Sequence, residues 1–250
     1  VSLVEVERLG DVCLIGLNRP DKLNAVSTEL EAALLDALGS SVVGGSGAVV
    51  VTGSGRAFSA GADVGEVRSM SPETILAYYR ASGRVYQALA GMSQPTVSAV
   101  HGYCLGAGFE LALACDFRVA DETARLGCPE AALGILPGSG AILRLVRACG
   151  PLRARELILL GRRIDAAQAL SLGLVTDVVP AGTAVERAVR LAGQLAELPP
   201  AMVQVGKRTI DVAAESSSAA VLLLEELAYA TLNATGDAAD RQARFGSGPG

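Results

Sequence analysis

The chain has 250 residues, half of them hydrophobic and 19% charged, a composition that buries a large core and excludes a disordered polymer. Its formal net charge of −5 argues against a nucleic-acid binder, because there is no basic excess to displace counterions. The lone histidine, His101, excludes a multi-histidine metal site. In chain order, Val12–Leu17 reads as a strand, stopped by Asn18-Arg19-Pro20-Asp21. A helix is expected over Thr28–Leu38, where Leu30, Ala33, Leu34, Ala37 and Leu38 recur at helical spacing. Residues 48–52 form a short, continuously apolar strand closed by Gly53-Ser54-Gly55, the pattern of a strand buried on both faces. A long helix is expected at about Pro72–Ala90, and residues 95–100 and 117–120 read as two more buried strands. Buried strands alternating with helices predict a parallel α/β architecture. Beyond Pro151 helices dominate, at 156–160, 166–172, 184–196, 201–214 and 219–232, with one strand at 175–179. Leu222, Leu223, Leu224, Leu227 and Tyr229 give the last helix more apolar surface than a peripheral helix needs. Core packing or self-association would use it.

Two glycine-rich segments each lead a glutamate into a helix. One is Gly102-Tyr103-Cys104-Leu105-Gly106-Ala107-Gly108-Phe109-Glu110. The other is Leu126-Gly127-Cys128-Pro129-Glu130, followed by Gly134-Ile135-Leu136-Pro137-Gly138-Ser139-Gly140. A carboxylate behind such an entry is poorly hydrated and close to unpaired backbone N–H groups. Two of them brought together can divide acid and base work on one substrate. Each alone also fits a helix N-terminal acid that merely faces the dipole. Gly106-Ala107-Gly108 does not complete a dinucleotide loop, residue 111 being leucine, and Gly206-Lys207 is followed by Arg208 without a P-loop's glycine lead. His101 reads as structural, and Cys104 and Cys128 as packing residues with no paired histidine base. Tyr78, Tyr79 and Tyr86 either line an acyl pocket or cover the core.

The five cysteines make no C-x-x-C and suit a reducing compartment. No apolar run reaches the roughly 20 residues of a membrane helix. Glu5, Glu7, Arg8 and Asp11 interrupt any signal-like start, and Val1 suggests trimming. A cytoplasmic protein with neither membrane nor nucleic-acid partner is expected.

The chain resembles the enoyl-CoA hydratase/isomerase (crotonase) family from end to end. The matching segments are Leu17-Asn18-Arg19-Pro20 with Asn24-Ala25, Ala57-Phe58-Ser59-Ala60-Gly61-Ala62-Asp63, and residues 95–116. Pro129-Glu130 with Leu133-Gly134-Ile135-Leu136-Pro137-Gly138, and 166–175 before Val179-Pro180, complete the series. The resemblance implies a spiral of repeated ββα units over residues 1–195, carrying the active site, and a helical C-terminal oligomerisation region over 196–250. It implies an acyl-CoA substrate and an oxyanion hole built from the N–H groups of Ala62 and Ala107. In place of Ala107 many relatives have glycine; alanine still offers its N–H. Glu130 is then the main proton donor, Glu110 orients and activates the water, and the Gly138 N–H, at a helix start, helps place that water. Lys22, Leu23, Ala25, Ala60, Ala62 and Asp63 correspond to the segments that contact CoA.

The implied enzyme is an enoyl-CoA hydratase, a carbon–oxygen lyase of fatty acid β-oxidation type. It needs no metal and no permanently bound cofactor, and coenzyme A enters as part of the substrate. A homotrimer or dimer of trimers is expected. The alternatives are an isomerase or another CoA lyase of the family, or a non-catalytic oligomeric CoA binder. Family tails carry an aromatic followed by basic residues; here Phe245 is followed by Gly246-Ser247-Gly248-Pro249-Gly250.

Overall fold

The computed structural model describes residues 2–245; the tail segment after Phe245 lies outside the described residues. An antiparallel hairpin opens the fold, β1 (Val4–Leu9) pairing with β2 (Val12–Leu17). Helix α1 (Thr28–Leu38) starts where the Ser27 side chain accepts from Leu30 N, and a short α2 (Ser41–Gly44) leads to β3 (Ala48–Gly53). After α3 (Val64–Arg68) and the long α4 (Pro72–Ala90) the chain enters β4 (Thr96–Val100).

A repeat then appears. Strand β4 is followed by β5 (Tyr103–Leu105) and α5 (Ala107–Ala114), and β6 (Phe117–Asp121) by β7 (Arg125–Gly127) and a 3-10 turn at Pro129–Leu133. Helix α6 (Ala141–Leu159) breaks at Gly150, where φ is 75° and Pro151 follows. Strand β8 (Arg163–Asp165), α7 (Ala166–Ser171), β9 (Asp177–Val179) and α8 (Ala184–Ala196) complete the core. Helices α9 (Pro200–Ala213), α10 (Ser218–Asn233) and α11 (Gly236–Phe245) follow.

The first strand of each repeat joins one six-stranded sheet, ordered β1-β2-β3-β4-β6-β9 and parallel from β2 onward. The second joins a small sheet, β5-β7-β8, in which β5 and β7 are parallel. This is the ββα arrangement implied by the resemblance.

Period-2 alternation gives the large sheet two apolar faces. Ala48, Val50, Val97, Ala99 and Val119 pack with Ala184, Ala188 and Ala192, one face of α8 at four-residue spacing. Val49, Val51 and Val100 point the other way, into the larger cluster with Phe58, Tyr86 and Phe109. The alanines let α8 lie close to the sheet. Strand β3 is fully buried because both of its faces are covered.

Helix α9 is tied to the core by Lys207, whose Nζ lies 2.7 Å from Asp116 Oδ2 and donates to the carbonyls of Met92 and Gln94 at 2.8 Å. Among the described residues, no helix is long and apolar enough to cross a membrane.

Candidate active site

The two glutamates meet in one cavity, together with Ala62, Ala107 and Gly138. Glu110 sits in the first turn of α5 with only 4% of its surface exposed. Its stabilising donors do not come from its own helix. Oε1 accepts from Ser139 N at 2.7 Å and from Ala141 N at 3.3 Å, the entry to α6. Burial nonetheless raises its pKa to about 7; the two N–H bonds act against the shift and the neighbouring Glu130 adds to it. Glu130, on the 3-10 turn after β7, is also raised by burial. Its Oε2 is buried with no hydrogen-bond partner. One carboxylate is clamped, and the other has an oxygen without a hydrogen-bond partner.

The helix expected to begin at Gly138 begins instead at Ala141, with Gly140 at its cap in a left-handed conformation (φ 100°). Gly138 lies upstream on the cavity wall, and a Cβ there would strike the Tyr79 ring at 2.5 Å. The N–H groups that the helix entry turns toward a carboxylate are therefore those of Ser139 and Ala141. Arg144 Nη1 donates to Ser139 O at 2.9 Å and braces this turn.

Two loops run side by side beneath the cavity. Ser59 N donates to Tyr103 O at 2.9 Å and Leu105 N to Ser59 O at 3.0 Å, a parallel bridge between Ser59 and Cys104. Ala62 and Ala107 lie equally far along their segments from that bridge. A second bridge joins Val26 to the neighbours of Ala62: Val26 N donates to Gly61 O, and Asp63 N to Val26 O, both at 2.8 Å. The Ala62 N–H is left out of that exchange. Ala107 is the first residue of α5, where the N–H has no intrahelical acceptor. Among the described residues, neither N–H donates to a backbone carbonyl.

Glycine makes the approach possible at two points. Gly61 (φ 107°) would place a Cβ 3.0 Å from Leu105 O and 3.8 Å from Ala107 N. Gly106 (φ 49°) would place one 2.9 Å from Glu130 Oε1. Side chains at these positions would hold the loops apart and displace the carboxylate.

The other residues expected to contact CoA are gathered beside this site. Ala60 and Ala62 line the cavity. The turn bearing Lys22, Leu23 and Ala25 is joined to them where Ala60 N donates to Leu23 O at 2.9 Å. The Ala60 N–H is thus occupied. Asp63 pairs with Arg19 at 3.1 Å, and that guanidinium holds the Asp63 carboxyl below its usual range. Asn24 locks the turn: fully buried with φ 53°, it accepts from Arg19 N and donates to the carbonyls of Ser54 and Ala57.

His101 Nε2 lies 3.1 Å from the Gly55 carbonyl, which makes it a donor holding that loop. Cys104 and Cys128 are fully buried, and burial pushes both thiols up, the condition of inert packing residues. Tyr78, Tyr79 and Tyr86 all line the cavity, and Tyr79 feels both glutamates. Among the described residues, no three His, Cys, Asp or Glu side chains gather as a metal-binding group.

The family model for enoyl-CoA hydratase/isomerase matches residues 7–244. The 2,3-dehydroadipyl-CoA hydratase of Escherichia coli (strain K12) is 39% identical over 238 residues, covering 95% of this chain and 92% of its own. The probable enoyl-CoA hydratase 2, mitochondrial, of Arabidopsis thaliana is 38% identical over 233 residues, 92% of this chain and 77% of its own. The crystal structure of an enoyl-CoA hydratase from Bacillus anthracis superposes with a TM-score of 0.92 at 34% identity, covering 97% of this chain and 95% of that one.

Proposed function

Since the chain belongs to the enoyl-CoA hydratase/isomerase family, as an enzyme of the hydratase class, we propose that it adds water across the 2,3 double bond of a trans-2-enoyl-CoA, using Glu110 and Glu130. The observation that carries this reading is the convergence on an apolar cavity of a clamped carboxylate and one with an unpartnered oxygen, beside two undonated N–H groups.

The thioester carbonyl accepts from the Ala62 and Ala107 N–H groups, which stabilise the enolate charge as it develops. The partial positive charge of the α5 N-terminus acts in the same direction. Water adds its oxygen to C3, gives one proton to Glu110, and C2 receives a proton from Glu130. A proton then returns from Glu110 to Glu130 to reset the pair.

Of the two carboxyls, the one raised to about 7 is that of Glu110. Filling the cavity reverses the balance. Substrate covers what is still exposed of Glu130, whose Oε2 is already buried without a donor, while Glu110 keeps its bonds from Ser139 and Ala141. The anion with N–H partners better survives desolvation, so the proton shared by the pair moves to Glu130. The turn of Lys22, Leu23 and Ala25, with Ala60, Ala62 and Asp63, receives the CoA portion, and the Gly138 N–H helps place the water. Residues 1–195 form the catalytic part and 196–250 the assembly part of a cytoplasmic homotrimer or dimer of trimers.

Glu→Gln keeps shape and removes the basic carboxylate. In an assay following loss of the conjugated thioester absorbance of crotonyl-CoA, each single change should lower hydration by roughly 10²–10⁴. The double change should cost far less than the product, because groups acting as a unit are non-additive. If Glu110→Gln hydrates near the wild-type rate while Glu130→Gln is inactive, one acid suffices and isomerisation becomes the better reading. Full hydration by both singles would sink the mechanism.

A further inference from the structure

The clamp on Glu110 is built from a segment with little stiffness of its own. Ser139 stands between Gly138 and Gly140, and α6 has no side-chain cap, its N-cap being Gly140 with φ 100°. What steadies the segment comes from the first turns of α6. Arg144 Nη1 donates to Ser139 O at 2.9 Å, and Arg144 N donates to Gly140 O at 3.1 Å. The guanidinium fills the space beside Gly140, where a Cβ would meet Nη1 at 2.5 Å and Cζ at 3.2 Å. The Ser139 carbonyl belongs to the peptide that joins Ser139 to Gly140. That peptide lies between the two whose N–H groups, Ser139 N and Ala141 N, donate to Glu110 Oε1. Holding its plane restrains rotations that set one donor relative to the other.

The same side chain is also a charge. Arg144 is half-buried, which disfavours its own ionised form, and Glu110 acts against that effect. In return the guanidinium favours the ionised form of Glu110. The other groups facing Glu110 do not. Glu130, on the 3-10 turn, adds a like charge. Tyr79 and Tyr86 on α4, and Cys128 after β7, have their ionisation pushed up by burial and stay uncharged near neutral pH. Arg144 is itself faced by Cys115 after α5, by Arg147 on α6 and by Asp211 on α9. A permanent cation is thus set near a carboxylate that must be ionised to take a proton from water.

Resting on the hydratase reading above, we propose that Arg144 is the positioning residue of the Glu110 base: it fixes the peptide between the two clamping N–H groups and faces the carboxylate with a positive charge. Ser139 is among the described residues that line the cavity and Arg144 is not, so Arg144 acts through the turn.

The test measures kcat/KM for crotonyl-CoA against pH, together with a titration of the Glu110 carboxyl that needs no turnover, the infrared carboxyl band that disappears in Glu110→Gln. Arg144→Met keeps an unbranched stem and removes both the charge and the donors. Losing a cation and loosening two N–H bonds each disfavour the anion. The acidic limb of the rate profile and the infrared titration should therefore both move to higher pH by about one unit, roughly a tenfold loss of kcat/KM on the acidic side. Binding of a saturated acyl-CoA should stay at the wild-type level, because the change is made behind the turn. Arg144→Lys keeps the charge and should hold both titrations close to those of the wild type. Arg144→Gln, which keeps an N–H donor without the charge, should move both in the same direction as Arg144→Met and carries the test if that variant does not fold. A side chain that only held α6 in place would lower stability and kcat without moving either titration. That result overturns the inference, as do Met and Gln variants indistinguishable from the wild type. Either outcome, with a wild-type chain that hydrates crotonyl-CoA, leaves the hydratase reading standing. A wild-type chain that does not hydrate it overturns both.

Discussion

Clamping a carboxylate inside an apolar cavity leaves a trace in stability. The Glu110 pKa rises from 4.5 to about 7 on folding, chiefly through burial. Between those values the folded chain holds a proton that the unfolded chain releases, so the contribution is full below about 4.5 and is lost as pH rises through about 7. The amount is on the order of 3 kcal/mol. Glu110→Gln cannot titrate. Urea unfolding of the two proteins at about pH 4.5 and about pH 8 should therefore show the variant gaining on the wild type by that order as pH rises. Parallel pH profiles would mean that Glu110 is hydrated in the native state. Both candidate glutamates were legible as residues, because each follows a glycine-rich entry. Their partners were not. The donors to Glu110 are backbone groups of Ser139 and Ala141, which reach it only because α6 begins at Ala141. Arg144 was hidden for another reason: near Arg147 it reads as part of a solvated helix face, and what it holds depends on the turn at Ser139 and Gly140.

At the scale of elements, the segments easiest to read were those whose patterns need no partner to interpret. The apolar run of β3 and the helical spacing of α1, α4 and α8 gave bounds within a residue or two of the structure. The three-residue strands β5, β7 and β8 carry too few residues for any periodicity, and pairing with one another is all that defines them. The helix expected at 156–160 is the end of α6, whose earlier part is disguised by the Gly150-Pro151 break. In the turn that bears Leu23 and Asn24, both with positive φ, the Asn24 side chain ties Arg19 N to the carbonyls of Ser54 and Ala57. Asn24→Ala would leave Arg19 N and the carbonyls of Ser54 and Ala57 without partners, in a conformation that alanine dislikes. A loss of roughly 3 kcal/mol is expected. It should come with a raised KM for the acyl-CoA, because the same turn is bonded to Ala60 on the cavity wall. A variant as stable as the wild type would show that the turn does not depend on this network.

For the whole molecule, the remaining problem is the large apolar side chains left exposed among the described residues. Helix α10 exposes Leu222 by 65%, Leu223 by 57%, Leu227 by 56% and Tyr229 by 73%. Helix α6 and the preceding turn add Leu136, Leu143 and Leu159. So much exposed leucine exceeds what an isolated surface helix needs and is the kind of apolar surface an interface uses. The sequence showed the excess on α10 but not that on α6, because the α6 residues look like ordinary core positions until the fold shows them exposed. In the homotrimer proposed above, one kind of contact buries this surface repeatedly. Sedimentation at micromolar concentration should give three times the 25.4 kDa chain mass, or twice that trimer. Leu222→Glu together with Tyr229→Glu, seven residues apart and thus on one face of α10, should place charges in the contact and release monomers with unchanged far-UV dichroism. A wild-type chain that sediments as a clean monomer would remove the assembly and leave the fold intact. If the double variant stays assembled, the contact lies elsewhere, and the exposed leucines of α6 are the next to change.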